Sequence, residues 1–324
     1  MAYKLITADI GGTNSRFALF SAGEKGEPSL EAVKWMKTKE SESFGQLIEN
    51  LRTSDLLMKP EEADIVVVSI AGPVEQGVRS SPPFISWSID ISSAGEEFGF
   101  KRSALINDFV AQAFACRSPV GEEARMVLPG DPAPDGTISV IGAGTGLGKA
   151  ALRPDGKGGY TAMPSEGGHA GFSFVSRREF EFQEFVMKER GDRYITGNTI
   201  ISGGGLSYVH QFLTGKKLEP RGVSEAFAEN PETLEWVARF FGRAFRNYAL
   251  ETLAQGGLYI AGGVAAKSPE IINHRVFEEE FRSSDTMAEV LSRIPVFLIT
   301  DENSGLWGAA MYGLQILRAD AGAR

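Results

Sequence analysis

Asn107 and Asp108 stand where a short apolar strand, Ala104-Leu105-Ile106, gives way to a helical segment, Phe109 to Cys116. A carboxylate at the carboxyl end of a strand is suited to acid–base work, because open α/β sheets bind ligands there. Either residue would also serve as a helix cap, and one can cap while the other works. Glu166 and His169 flank Gly167-Gly168 in what reads as a polar, mobile loop. Glycine-rich turns offer a second chemistry. Asp9-Ile10-Gly11-Gly12-Thr13-Asn14 joins the apolar run Leu5 to Ala8 to the run Phe17 to Phe20. Gly142 to Gly148 joins Ile138–Ile141 to Lys149–Leu152 in the same way, and Gly262-Gly263 follows Leu258 to Ala261. Glycine permits positive φ and close approach to the main chain, and exposed N–H groups in such turns hold anions. One such turn reads simply as a tight hairpin. Two hairpins that face each other would clamp a polyphosphate.

The familiar phosphate spacings do not fit. A P-loop ending at Lys149 would need Gly at Ala143 and Ser or Thr at Ala150. The dinucleotide fingerprint would need Gly at Leu147 or Lys149 and a helix afterwards, where an apolar strand-like run follows instead. Zinc chemistry is not indicated either, since His169, His210 and His274 are the only histidines and lie far apart in the chain.

The elements that must carry these residues alternate between strand and helix. Ala32 to Lys37 has strand alternation, and Phe44 to Leu57 has helical spacing of apolar residues at 44, 47, 48 and 51. Ile65 to Ile70 is a β-branched run typical of a strand buried on both faces. Ser92 or Ser93 would cap a short helix. Pro119 to Pro134 is loop-rich and marks a domain boundary. Ser176 to Arg190 reads as an amphipathic helix with Phe180, Phe185 and Val186 inward. Asn198 to Leu206 reads as a glycine turn that opens a helix through Phe212. Pro231 to Gln255 is one long helix with core aromatics Trp236, Phe240 and Phe241; Ser268-Pro269 starts another. Val296 to Ile299 is the last strand and Ser304 to Leu317 a closing helix.

Length and composition set the class. A chain of 324 residues with 42% apolar residues has material for about two globular domains. A net charge of −9 without a basic block argues against nucleic acid or anionic membrane as a partner. No apolar stretch approaches the roughly 18 residues of a membrane span. Cys116 is the only cysteine, which points to a reducing compartment. The chain enters a strand at once, leaving no room for a signal peptide, so the cytoplasm is the expected location.

Strand, glycine turn and strand, used twice, resembles the phosphate clamp of the actin-like ATPase fold. Eight stretches, in order, resemble the bacterial ATP-dependent glucokinases. They are Ala8 to Asn14, Ser69 to Val74, Ile106 to Phe109, Gly142 to Gly148, Glu166 to His169, Ser202 to Leu206, Ile260 to Gly263 and Gly305 to Gly308. No cysteine cluster follows His169, which sets the chain apart from the zinc-bearing sugar kinases and repressors.

The resemblance implies an α/β protein of two actin-like ATPase (ribonuclease H-like) domains around a central cleft. A smaller domain would span residues 1–118 with 307–324, and a larger one 119–306. Ala8, Asp9, Ile10, Gly11, Gly12 and Thr13, with Gly144, Thr145 and Gly146, would hold ATP phosphates. Gly262 and Gly263 would lie near the adenosine, and Asp9 would reach the nucleotide's Mg²⁺ through water. Asn107, Asp108, Glu166 and His169 would bind glucose or a related hexose, with Asp108 also the general base. A homodimer is implied. Relatives carry Glu where this chain has Asn198, and a Thr-Asn pair where it reads Ser80-Ser81-Pro82-Pro83-Phe84. With Asn198 as a sugar ligand, glucose binding should be weaker or hexose tolerance broader, unless Asp192 or Glu189 supplies the missing carboxylate. The rivals are a kinase for mannose, fructose or an amino sugar, a non-catalytic sugar sensor, and an actin-like ATPase acting on protein.

Overall fold

The Gly-Gly centre near the N-terminus forms the expected hairpin. β1 (Ala2–Ile10) and β2 (Asn14–Gly23) pair antiparallel from Ala2↔Gly23 to Ile10↔Ser15. The turn closes with a hydrogen bond from Gly11 N–H to Asn14 O at 3.0 Å. These are features of a computed structural model that describes residues 2–322. The described chain divides into two units: residues up to Glu123 with those from Asp301 onward, and Ala124–Thr300.

In the first unit the hairpin continues into β3 (Pro28–Lys37), while β4 (Ile65–Ile70) and β7 (Ser103–Asn107) lie parallel to β1. The five-stranded order is β3-β2-β1-β4-β7. A separate two-residue pairing joins β5 (Arg79–Ser80) and β6 (Ile89–Asp90). Every residue of β4 is buried, as its unbroken β-branched run requires. The closing helix, Ser304–Gly322, packs on β1, β4 and the helix Asp108–Ala115, with Trp307 edge-on to Phe20 and Tyr312 edge-on to Phe114.

The second unit repeats the scheme. β9 (Ile138–Ala143) and β10 (Leu147–Pro154) form the second glycine hairpin, in register Ala143↔Leu147. β11 (Tyr160–Ser165) extends it, and β12 (Gly257–Ala261) and β13 (Val296–Leu298) run parallel on the other side. The order β11-β10-β9-β12-β13 matches that of the first sheet strand for strand, with β8 (Arg125–Leu128) added antiparallel at the edge.

Four expectations need correction. The helix from Phe44 ends at Arg52, because Thr53 turns its hydroxyl and N–H back to Glu49 O; Leu57 is left exposed. The loop-rich stretch after Pro119 holds a short helix, Pro119–Glu122, and β8. Asn198 sits inside a short helix, Gly197–Ile200, capped by Thr196, rather than in a turn.

The helix Arg177–Arg190 buries Glu179, Phe182 and Val186, whereas Phe180 points outward at 49% exposure. Its phase is set by Ser176, whose hydroxyl accepts the Glu179 N–H, and by the buried partner of Glu179. Arg243, 1% exposed, donates from Nη1 to Glu179 Oε2 at 2.6 Å, from Nη2 to Glu179 Oε1 at 3.1 Å, and from Nε to Glu280 Oε1 at 2.9 Å. Removing one partner of such a pair strands a buried charge, at a cost of about 3–5 kcal/mol. Glu179→Ala should therefore lower the urea midpoint of unfolding, followed by circular dichroism, by a corresponding margin. An unchanged midpoint would show that Arg243 finds water or another acceptor.

Candidate active site

In the first unit, β1 carries Ala8, Asp9 and Ile10 to the turn Gly11-Gly12-Thr13. Thr38 braces that turn: its hydroxyl donates to Gly11 O at 2.7 Å and its N–H to Thr13 O at 3.1 Å. Asp9 Oδ2 is ion-paired with Arg16 Nη2, and the Arg16 guanidinium lies 5.2 Å from the centre of the Trp35 ring. Neither Gly11 nor Gly12 takes positive φ. Gly12 is required by close approach instead, since a Cβ there would meet Phe84 Cβ and O at 2.8 Å. Phe84 thus lies against the turn.

Asn107 and Asp108 divide their roles as the strand-to-helix junction allows. Asn107 is the helix cap: its Oδ1 accepts the N–H groups of Phe109 at 2.9 Å and Val110 at 3.3 Å, and its Nδ2 donates to Gly72 O at 3.0 Å. Asp108 is the first residue of the helix, half-buried, with Oδ1 accepting Phe109 N–H at 2.9 Å. The capping need is met by Asn107, so the Asp108 carboxylate is not the residue that the helix start depends on.

In the second unit a cavity of about 880 Å³ gathers Gly144, Thr145, His169 and Asn198. The hairpin tip is tied to its surroundings by backbone and amide. Gly144 N–H donates to Gly146 O at 2.9 Å, and Gly203 N–H donates to Gly144 O at 3.1 Å. Leu147 N–H donates to Asn198 Oδ1 at 2.7 Å. The Glu166–His169 stretch forms a 3-10 turn, Gly167–His169, rather than an irregular loop. Gly167 N–H donates to Ser165 Oγ at 3.0 Å, and His169 N–H to Glu166 O at 2.9 Å. Beneath it lies the buried Lys149, whose Nζ is 4.9 Å from the centre of the Tyr248 ring; burial lowers its ammonium pKa. The exposed side chains of Glu166 and His169 approach each other at 3.7 Å, Oε2 to Nε2.

Glu166, Gly146, Gly262 and Gly263 are not among the residues lining the cavity. Gly262, at φ 87°, ends β12 against Ala143, the last residue of β9. The cavity also includes residues that sequence reading passed over as helix ends and surface charge: Arg190, Arg193, Tyr194 and Tyr208. Ser202, expected only as part of a glycine turn, caps the helix Gly203–Thr214 by accepting Gly205 N–H. Asp192 is there too, paired with Arg190, whose guanidinium pKa it raises; Glu189 is turned away to Gln211. Among the described residues no three His, Cys, Asp or Glu side chains gather to hold a metal ion, and no helix is long and apolar enough to cross a membrane.

A family model described as Glucokinase matches residues 6–316. The glucokinase of Saccharophagus degradans is 32% identical over 322 residues, covering 96% of this chain and 98% of that one. Among solved structures, a glucokinase from an Antarctic psychrotroph superposes with a TM-score of 0.82 at 26% identity, over 95% of this chain and 98% of that one. A glucokinase from Balamuthia mandrillaris in complex with glucose shares the fold with a TM-score of 0.78 at 19% identity, over 97% of this chain and 94% of that one.

Two glycines, Gly144 in the cavity lining and Gly168 behind the hairpin, make opposite demands. A Cβ on Gly168 would lie 2.0 Å from Leu147 O and 2.4 Å from Asn198 Oδ1, whereas one on Gly144 meets nothing within 4 Å and needs no positive φ. Gly168→Ala should cost roughly 1–3 kcal/mol, as overpacking does, and lower the melting temperature. Gly144→Ala should leave it unchanged. Equal melting temperatures for the two variants would contradict the packing described.

Proposed function

The chain belongs to the glucokinase family, the ATP-dependent glucose kinases, and from that premise we propose that Asp108 is the general base that activates the sugar 6-hydroxyl. The observation that carries this is the division of labour at the end of β7. Asn107 caps the helix, so the neighbouring carboxylate is not needed for the helix start. Asp108 takes the hydroxyl proton as the sugar oxygen bonds to the γ-phosphorus and the bond to the β,γ-bridging oxygen breaks, releasing ADP.

The remaining residues position and neutralise. Glu166 and His169 hold sugar hydroxyls, which donate and accept alike. Asn107 has its carbonyl oxygen and one amide N–H engaged by the helix and Gly72, so it contributes chiefly by fixing Asp108. Asn198, whose oxygen already accepts Leu147 N–H, offers the sugar its amide N–H donors and one remaining neutral acceptor lone pair. Gly144, Thr145 and Gly146 bind ATP phosphates, as do Ala8 to Thr13. The open space at Gly144 suits an approaching phosphate oxygen. Gly262 and Gly263 serve the adenosine.

Magnesium carried by the nucleotide would neutralise charge on the phosphate oxygens. Asp9, a single carboxylate held by Arg16, fits an ion whose other ligands are phosphate and water. The reading also takes the protein as a cytoplasmic homodimer, as its likeness to the bacterial glucokinases implies. The neutral amide of Asn198, which both donates and accepts, favours a second reading beside glucose, in which the enzyme also accepts another hexose.

Asp108→Asn keeps the side chain's size and removes the proton acceptor. It should lower kcat by on the order of 10²–10⁴ while changing glucose affinity far less. Near-normal turnover would overturn the assignment. Gly144→Val, tolerated by the fold, should raise the KM for ATP; an unaltered value would remove the second hairpin from the nucleotide site.

A further inference from the structure

The wall formed by residues 190–194 has no part in the reaction as described so far, yet it closes the same cavity as His169 and Asn198. Asp192 is the only carboxylate among the lining residues. Its side chain is 35% exposed, and its Oδ2 accepts from Arg190 Nε. Among the described residues its Oδ1 has no hydrogen-bond partner. The carboxylate is thus fixed by Arg190 on one side and open on the other.

The rest of the wall is rich in donors. Asn198 has given its oxygen to Leu147 N–H at 2.7 Å, and Arg190 and Arg193 are cations that only donate. The Thr, Ser and Tyr hydroxyls of the lining accept as neutral groups, and Asp192 is the one charged acceptor there for the hydrogen of a sugar hydroxyl, which is costly to leave unpaired in a closed site. We infer that Asp192 accepts a hydrogen bond from one hydroxyl of the hexose and is a specificity-determining residue of the sugar site. The inference rests on the hexose-kinase reading above. A carboxylate acceptor forms a charge-assisted bond, roughly twice as strong as a neutral one, and a site built around it rejects a sugar that lacks that hydroxyl. The same chemistry would suit the ribose of ATP, and the test separates the two.

The measurements are equilibrium binding of glucose without nucleotide, steady-state constants for glucose and ATP, and a series of singly deoxygenated glucoses. The proteins are wild type, Asp192→Asn and Asp192→Ala, each checked by thermal unfolding. The expected result is a rise of about tenfold in glucose Kd and KM in both variants, the scale of one lost charge-assisted bond, with the KM for ATP within about twofold of wild type. One deoxyglucose that the wild type handles poorly should become equivalent to glucose in both variants. Unchanged glucose binding in two folded variants overturns the inference and leaves the hexose reading standing. A rise confined to the KM for ATP overturns it in favour of the ribose. A wild type that binds no glucose overturns the hexose reading itself, and this inference with it.

Discussion

One hydrogen bond, from Leu147 N–H to Asn198 Oδ1 at 2.7 Å, governs the geometry of the second unit's site. It joins the first residue of β10 to the short helix Gly197–Ile200, so the glycine tip cannot move independently of that helix. Gly168 packs into the corner the bond creates, closer to Leu147 O and Asn198 Oδ1 than any side chain allows. The Glu166–His169 turn is thereby seated against the same strand. The glycine hairpin tip and the Glu166–His169 turn are joined through one amide. The consequence is chemical as well as structural. An amide oxygen that already accepts Leu147 N–H keeps one lone pair and carries no charge, so it is a weaker acceptor than a carboxylate in that place would be.

The two units solve the same problem twice. In each, an antiparallel hairpin with a glycine tip is followed by two parallel strands, and each sheet thereby places its tip at the carboxyl end of its first strand. Yet the tips owe their glycines to different pressures. Gly12 lies under the backbone of Phe84, whereas Gly144 faces open space. Glycine at the first tip is a packing requirement of the fold, and glycine at the second answers to nothing in the protein itself. That contrast is what the binding of a phosphate oxygen would produce, because only the second position is kept bare without a structural neighbour.

The sheets were legible because their signals are local. Glycine pairs between apolar runs fix hairpins, and the β-branched run of β4 fixes a strand buried on both faces. The strand-to-helix junction at Asn107 and Asp108 was legible for the same reason, and the structure makes Asn107 the cap. What failed was phase and partner. Phe180 and Phe182 are both apolar candidates for the inward face, and the choice between them is made by the buried pair Glu179–Arg243, formed by residues 64 apart in the chain. Asn198 was placed in a glycine turn, because nothing local reveals the short helix Gly197–Ile200 or the Leu147 N–H that its oxygen accepts. Asp192 surfaced only as a stand-in for a missing carboxylate. A charged residue after a helix end reads as solvated surface, and its place in a cavity depends on tertiary packing alone.

The central claim is that a sugar hydroxyl, stripped of its proton by a carboxylate, attacks the γ-phosphate of ATP. The direct measurement is phosphorus-31 and proton NMR of a reaction containing the protein, ATP, Mg²⁺ and glucose. The account predicts ADP and a phosphomonoester in equal amounts, with the phosphorus coupled to the protons on carbon 6. Inorganic phosphate in place of the ester, or coupling to any other carbon's proton, would contradict it.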